Sequence, residues 1–131
     1  MQSKRTFLFL QKDIPVALLE HFNETNTNRI YINRLIPMNI LPATFKVCAM
    51  GGMYDLDEEM SLYTIQERVP PPGRQNIDSI LWDLGIPEYD EFKIMLAIKG
   101  RCCQDDCIVE EITSKIDFED NAEQIFSRYL K

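Results

Sequence analysis

The residues best suited to chemistry are the thiols and carboxylates of the segment RCCQDDC, residues 101–107. It holds three of the four cysteines, Cys102, Cys103 and Cys107, beside Asp105 and Asp106. The spacing C-C-x-x-x-C matches none of the paired CxxC patterns of zinc sites, and adjacent side chains point apart. We therefore expect reduced structural thiols, ahead of a metal site or a regulatory disulfide, which is rare in the cytosol.

The only histidine, His21, could in principle pair with one of these cysteines as a nucleophile and its base. No catalytic signature surrounds any cysteine, so we expect a structural histidine. The acidic pairs Asp105-Asp106 and Glu110-Glu111 lack EF-hand spacing, a turn glycine and a paired histidine, which is typical of a surface loop. Phosphate-binding glycine motifs and a GxSxG elbow are also missing from the sequence. The residues therefore predict no enzyme, no metal and no cofactor.

The length and charge of the chain limit which classes of protein it can belong to. A chain of 131 residues is expected to form a single domain, residues 1–131. Residues 1–54 carry six Lys or Arg and three Asp or Glu, whereas residues 55–131 carry eight and eighteen. An acidic half of net charge −10 disfavours nucleic-acid binding, because it repels phosphate. Apolar runs are too short for a membrane span or a signal peptide, which predicts a cytoplasmic protein.

The elements that would position these residues change character at a proline corner, Val69–Gly73. Three successive prolines there fix an extended, stiff connection. Before it, alternating apolar residues and turn chemistry predict an antiparallel meander of three strands, Thr6–Leu10, Ile14–Phe22 and Arg29–Ile36. A helix beginning at Pro15 is the alternative reading of the second segment. Pro37–Phe45 is read as extended or as a short helical turn.

The acidic part, residues 55–131, is predicted to be mainly helical, since apolar residues recur there at helical spacing. Residues 1–54 form the β-rich part, and the fold class is α+β: a meander packed against three to four helices. A short strand is expected at Cys107–Ile112. The helices are expected at Asp55–Glu67 (capped by Asp55), Asn76–Leu84, Glu91–Lys99 (capped by Asp90) and from Asp117 onward.

Trp82, the only tryptophan, lies off the apolar face of its predicted helix. Either another element covers it or it is an exposed anchor for a partner. The sequence leaves both readings open.

Several segments in order resemble the N-terminal region of HipA-like serine/threonine kinases of the Firmicutes type: KDIPVALLE, an LP pair, ERVPPPGRQNIDSILWDLGI and KGRCCQDDC. The resemblance spans about Thr6 to Ile108. It departs from the family at Asn76, where a glycine is usual, and at Asp106-Cys107, where an aromatic pair is usual. The matching residues are Lys12, Asp13, Ile14, Pro15, Val16, Leu41, Pro42, Arg68, Pro70, Arg74, Ile77, Leu81, Leu84, Gly100 and Asp105.

The resemblance implies a non-catalytic module, because the nucleotide-binding loop and catalytic residues of those kinases have no counterpart in this chain. Some related systems encode this region as a separate antitoxin that restrains a partner kinase. We therefore expect a regulatory protein that binds a HipA-like kinase, through Trp82, Arg68, Arg74, Asp105 and Asp106. The alternatives are an acidic phage or mobile-element inhibitor that imitates nucleic acid or binds a basic host protein, and, last, a small cysteine–histidine enzyme.

Overall fold

A computed structural model describes residues 4–102, 105–112 and 121–129. Within these residues the chain forms an antiparallel sheet of five strands in the order β4-β3-β2-β1-β5. Five α-helices pack around it, so the predicted α+β class with an N-terminal meander is confirmed. The strands are β1 (Lys4–Gln11), β2 (Ile14–Phe22), β3 (Thr27–Ile32), β4 (Asp55–Leu56) and β5 (Cys107–Glu111).

The hairpin of β1 and β2 closes through Lys12 and Asp13, which both have positive φ angles (50° and 70°). Such a two-residue turn matches the twist of the flanking strands, and Asp tolerates the left-handed region. Pairing begins directly at Gln11 with Ile14. The strand reading of residues 14–22 is therefore correct, and the helical alternative is wrong.

The third strand ends at Ile32, four residues before the predicted end at Ile36. Asn33 is the physical reason, since its buried side chain binds backbone on both sides. Its Nδ2 donates to the carbonyl of Pro15 at 2.6 Å, and its Oδ1 accepts from the N–H of Leu35 at 2.8 Å. An Asn that satisfies local backbone groups in this way turns the chain out of the sheet.

The helices differ from the expected ones in two places. Of the two interpretations of residues 37–45, the short helical turn agrees with the structure, as a 3-10 turn (Met38–Ile40), but the helix that begins after Pro42 was not predicted. The second helix is capped by Asp57, whereas Asp55 pairs with Tyr31 in β4. The predicted cap at Asp55 is therefore wrong. The bounds are α1 (Ala43–Met50), α2 (Glu58–Gln66), α3 (Ile77–Leu84), α4 (Glu91–Ala97) and α5 (Ala122–Tyr129).

α3 and α4 agree with the predicted helices, including the left-handed Gly85 after α3 and the cap by Asp90. The predicted start of the last helix at Asp117 lies outside the described residues.

The sheet is buried on both faces. β1 sends Phe7 and Phe9 into the larger core with α1 to α4, and Leu8 into a smaller one. That smaller core places Leu8 and Leu18 against Phe126 of α5. Both parts of the chain build the sheet, because β4 and β5 come from residues 55–131 and pair with β3 and β1.

No helix in the described part of the chain is both long and apolar enough to cross a bilayer.

Candidate functional site

Arg68 lies just after α2, where the helix gives way to the proline corner. The N–H of Arg68 still donates to the carbonyl of Ile65 at 3.0 Å, so a final tight turn aims the side chain inward. Only 7% of the residue is exposed. Tyr89 holds the corner that follows, because its hydroxyl donates to the carbonyl of Pro70 at 2.7 Å.

The Arg68 guanidinium is bonded on three sides. Its Nη1 and Nη2 each donate to one oxygen of the Asp105 carboxylate at 3.0 Å, a bidentate ion pair. Nε donates to the carbonyl of Gly100 at 2.8 Å, and Nη2 also donates to that of Cys107 at 3.1 Å. The guanidinium carbon lies 5.8 Å from the ring centre of Phe9. We call Arg68, Gly100, Asp105 and Cys107 the Arg68 clamp.

Asp105 completes the clamp by folding its own loop. Its Oδ1 accepts a second bond, from the N–H of Cys107 at 2.9 Å. Burial raises the pKa of Asp105, but the hydrogen bonds from Arg68 and Cys107 and the charge of Arg68 outweigh it, so the pKa lies below its ordinary value. A carboxylate held ionised in this way is a poor proton acceptor, which suits a structural role.

The thiol of Cys107, within the clamp, is not poised for nucleophilic chemistry. Burial raises the pKa of Cys107 to about 12, although the charge of Arg68 acts the other way. The sulfur of Cys102 lies 4.0 Å from Asp105 Oδ1. A reactive cysteine needs an electropositive setting that favours the thiolate, and the raised pKa of Cys107 shows the opposite tendency. Cys103 lies outside the described residues.

His21 lies at the other end of the sheet from Cys107. The register pairs His21 with Arg5 and Cys107 with Gln11, six residues further along β1, which corresponds to about 20 Å. The ring stacks on Phe92 with centroids 3.7 Å apart, and Nδ1 lies 2.8 Å from Asn28 Oδ1. Its described partners are therefore structural. In the part of the chain that can be searched, no three His, Cys, Asp or Glu residues are grouped to hold a metal ion.

The residues predicted to bind a partner separate into buried and exposed ones. Arg68 and Asp105 are brought together, but their charged groups face each other inside the clamp. Asp106 is exposed, with Lys12 Nζ 3.8 Å from its carboxylate. Arg74 is exposed and donates from Nε to Asn76 Oδ1 at 3.2 Å. Trp82 is 85% exposed, so the reading in which another element covers it fails among the described residues.

A second exposed apolar surface was missed by sequence reasoning. Val47 and Met50 are each 71% exposed and lie one turn apart on α1. Thr44 Oγ1 donates to Glu67 Oε2 at 3.0 Å, which joins the start of α1 to the end of α2. Tyr63, 52% exposed, lies one turn before Glu67. We call Val47, Met50 and Tyr63 the α1–α2 apolar face.

The polar edge of this face is acidic. The pKa of Tyr63 is raised, first by its hydrogen bond with Glu67, so the phenol stays neutral. The sequence signal for the face is the helical spacing of Val47 and Met50, which lie just after the predicted extended segment or short helical turn of Pro37–Phe45.

Comparison with known proteins finds no match to this chain among family models, curated proteins or solved structures.

Proposed function

We propose that this chain is a non-catalytic, cytoplasmic protein-binding module that docks on a HipA-like kinase or toxin and regulates or neutralises it. The observation that carries the proposal is the α1–α2 apolar face. Large apolar residues scattered singly over a surface need no explanation. Val47 and Met50, however, are both exposed and stand one turn apart on the same side of α1, which marks a candidate interaction site. The order of segments that resembles the N-terminal region of these kinases supports the identity of the partner.

The chemistry of the face suits protein docking. Met50 is unbranched and adapts to irregular partner surfaces, and Tyr63 combines a broad ring with a hydroxyl at the edge. Burying Val47 and Met50 would remove apolar surface from water, which contributes roughly 1.5–3 kcal/mol per fully buried side chain before the costs of association. The Arg68 clamp holds the end of α2 to the sheet, so the face is presented on a fixed support.

The test is co-expression of the full chain with the product of the adjacent reading frame. We expect a kinase-like product that co-elutes with the chain on gel filtration and whose toxicity to the host is relieved. Val47→Glu is expected to abolish both effects without loss of fold, because Val47 is exposed and Glu is a good helix former. Ser127→Glu adds the same charge at an exposed position of α5, which packs in the other core, and serves as the matched control.

A neighbouring product that is unrelated to kinases, or one that binds the Val47→Glu variant as well as the original chain, would contradict the proposal.

The acidic-inhibitor alternative makes a different expectation. Residues 75–92 contain Asp78, Asp83, Glu88, Asp90 and Glu91 and no basic residue. An inhibitor that imitates nucleic acid would bind a DNA-binding protein, and raising the salt would release it, because screening weakens contacts between exposed charges. Docking through the α1–α2 apolar face would instead persist in salt.

A further inference from the structure

We propose that the exposed face of α3 is a docking site for an arginine-bearing segment of a protein partner. The inference rests on the proposed function, since it names partner chemistry for a second surface of the same module. It is carried by Trp82 and by the carboxylates of the same helix, Asp78 one turn before it and Asp83 next to it in sequence.

Trp82 combines a large apolar surface with almost complete exposure. Its helix buries Leu81 in the core, while the next residue in sequence leaves 85% of its surface in solvent. Tryptophan is among the residues that most often dominate binding at protein interfaces. The face of its indole attracts cations, and guanidinium groups are found there more often than ammonium groups.

The charges around Trp82 define which partner fits. Asp78 lies one helical turn before Trp82 and Asp83 directly after it, and both are exposed. Neither forms an ion pair with any group in the described structure. α3 itself contains no basic residue. A partner that covers the indole therefore meets carboxylates that have no ion-pair partner in the described structure, which favours a cationic segment and disfavours an acidic one.

Arginine satisfies both halves of the site at once. Its planar guanidinium can stack on the indole while its N–H groups, which lie in the plane of the stack, donate to a carboxylate one turn away. A lysine ammonium is a compact point charge and does not offer this combination. The occupant is thus a segment that presents arginine on an otherwise small or apolar surface.

α3 is held firmly enough to present such a site. The left-handed Gly85 closes the helix, with the N–H of Ile86 donating to the carbonyl of Leu81 at 2.9 Å. Before the helix stands the proline corner, which Tyr89 ties down through Pro70. Little conformational entropy is then lost when a partner docks, which favours affinity.

The experiment titrates the isotopically labelled full chain with a short alanine-rich peptide that carries two arginines one helical turn apart. We expect saturable NMR shifts of the Trp82 indole N–H and of the α3 amides. The same peptide with citrulline, the neutral isostere of arginine, is expected to bind about fivefold more weakly or worse, as is a lysine version. Because Trp82 is the only tryptophan, its fluorescence gives an independent titration.

Variants of the protein locate the site. Asp78→Asn removes one charge with little change of shape and is expected to weaken the arginine peptide about fivefold. Glu59→Gln makes the same change at an exposed position of α2 and is expected to leave binding unaltered. Trp82→Ala is expected to remove the α3 shifts, and circular dichroism checks that the variant is folded.

Four outcomes would overturn the inference: no saturable shifts, shifts that lie away from α3, equal binding of the citrulline peptide, or equal binding of the lysine peptide. Shifts of the α3 amides that depend on protein concentration without peptide would identify a second copy of this chain as the occupant and would also overturn it.

The co-expression complex separates this inference from the proposed function. A complex that is lost with Val47→Glu but survives Trp82→Ala and Asp78→Asn overturns the arginine site and leaves the proposed function in place. Absence of any complex, together with arginine-selective binding at α3, overturns the proposed function and leaves the arginine site in place.

Discussion

At the scale of single residues, Arg68 links three separate stretches of chain through one buried side chain. It joins the turn after α2, the carbonyl of Gly100 after α4, and the Asp105–Cys107 segment that begins β5. A buried charge is tolerated only when it is paired and its remaining hydrogen-bonding groups are satisfied. The bidentate carboxylate and the two carbonyls meet that condition for Arg68.

We expect Arg68→Ala to lower the free energy of unfolding by about 3–5 kcal/mol, because it leaves Asp105 charged and without its partner in a half-buried place. Urea denaturation followed by circular dichroism measures the change. Arg74→Ala is the matched control, expected to shift the free energy of unfolding by no more than about 0.5 kcal/mol since Arg74 is exposed. Equal losses in the two variants would show that the clamp contributes nothing particular.

The pH dependence of stability follows from the lowered pKa of Asp105. A carboxyl group whose pKa is lower in the folded chain than in the unfolded chain stabilises the fold above its unfolded pKa, about 3.9. That contribution disappears as the pH falls through the folded pKa. We therefore expect the stability difference between the original chain and Asp105→Asn to be constant above about pH 5 and to shrink below about pH 4.

Denaturant titrations at a series of pH values check this expectation. A difference that stays constant down to the lowest pH at which the fold persists would argue that Asp105 keeps the same pKa in both states.

At the scale of elements, the features that could be predicted from the sequence are the turns and helix ends that neighbouring residues determine. The turn residues Lys12 and Asp13 fixed the first hairpin, and Gly85 and Asp90 fixed the ends of α3 and α4. The missed features depend on distant parts of the chain. The apolar residues of 43–50 show only a weak helical pattern. The helix is held by a distant contact, since Phe45 packs on Phe9 in the sheet with ring centres 5.2 Å apart.

The residues of the candidate site also divide into those that local sequence can place and those that depend on distant parts of the chain. The exposure of Trp82 is one of the two interpretations that its place off the apolar face of α3 leaves open, and only the fold decides between them. The pairing of Arg68 with Asp105 could not be predicted from local pattern, since 37 residues separate them. Charged residues far apart in sequence give no periodic signal when they meet in a core, so the sequence predicts partner binding by both and their mutual pairing for neither.

The start of α2 offers a direct comparison of two neighbouring aspartates. Asp57 Oδ1 accepts from the N–H of Met60 at 2.8 Å, which caps the helix, while Asp55 belongs to β4 and lies 3.7 Å from Arg34. We expect Asp57→Ala to cost about 1 kcal/mol of stability through the lost cap. Asp55→Ala is expected to cost less, because its ion pair is exposed. Thermal unfolding ranks the two, and the reverse order would favour the cap first predicted.

Gly85 and Gly100 have similar φ angles but different surroundings, so replacing each by alanine separates the cost of backbone strain from the cost of steric crowding. Gly100 has φ of 67° and Gly85 has φ of 72°. A Cβ at Gly100 would lie 2.4 Å from Cγ2 of Val109, whereas nothing lies within 4 Å of one at Gly85. We expect Gly85→Ala to cost about 1 kcal/mol for the left-handed backbone alone. Gly100→Ala is expected to cost clearly more, by roughly 1–3 kcal/mol of overpacking.

Adding Val109→Ala to Gly100→Ala is expected to recover part of that excess in urea denaturation. Equal costs for the two single glycine variants would mean that the loop moves away from β5 without penalty.

At the scale of the whole molecule, the β-rich and acidic parts of the chain share one core. Phe7 of β1 meets Phe92 of α4 edge to face, with ring centres 5.6 Å apart, and Ile30 of β3 pairs with Leu56 of β4. Phe7 and Ile30 belong to residues 1–54, and their partners to residues 55–131. The change in composition at the middle of the chain is therefore not expected to mark a boundary between folding units.

We expect a fragment of residues 1–54 to show no cooperative unfolding on its own, because its strands would lack the helices that cover them. Circular dichroism and thermal denaturation of the fragment make the measurement. Mixing it with residues 55–131 is expected to restore some of the native signal. A fragment 1–54 that unfolds cooperatively by itself would establish two units instead of one.

The margins of the sheet limit how the molecule can meet copies of itself. On one side, β4 is only two residues long. On the other, three outward backbone groups of β5 already have partners: the N–H of Cys107 donates to Asp105, its carbonyl accepts from Arg68, and the N–H of Val109 donates to the carbonyl of Lys99 at 2.8 Å. An open margin would act as a template for fibril growth. Here the Arg68 clamp occupies the backbone N–H and carbonyl of Cys107, to which an added strand would otherwise bind.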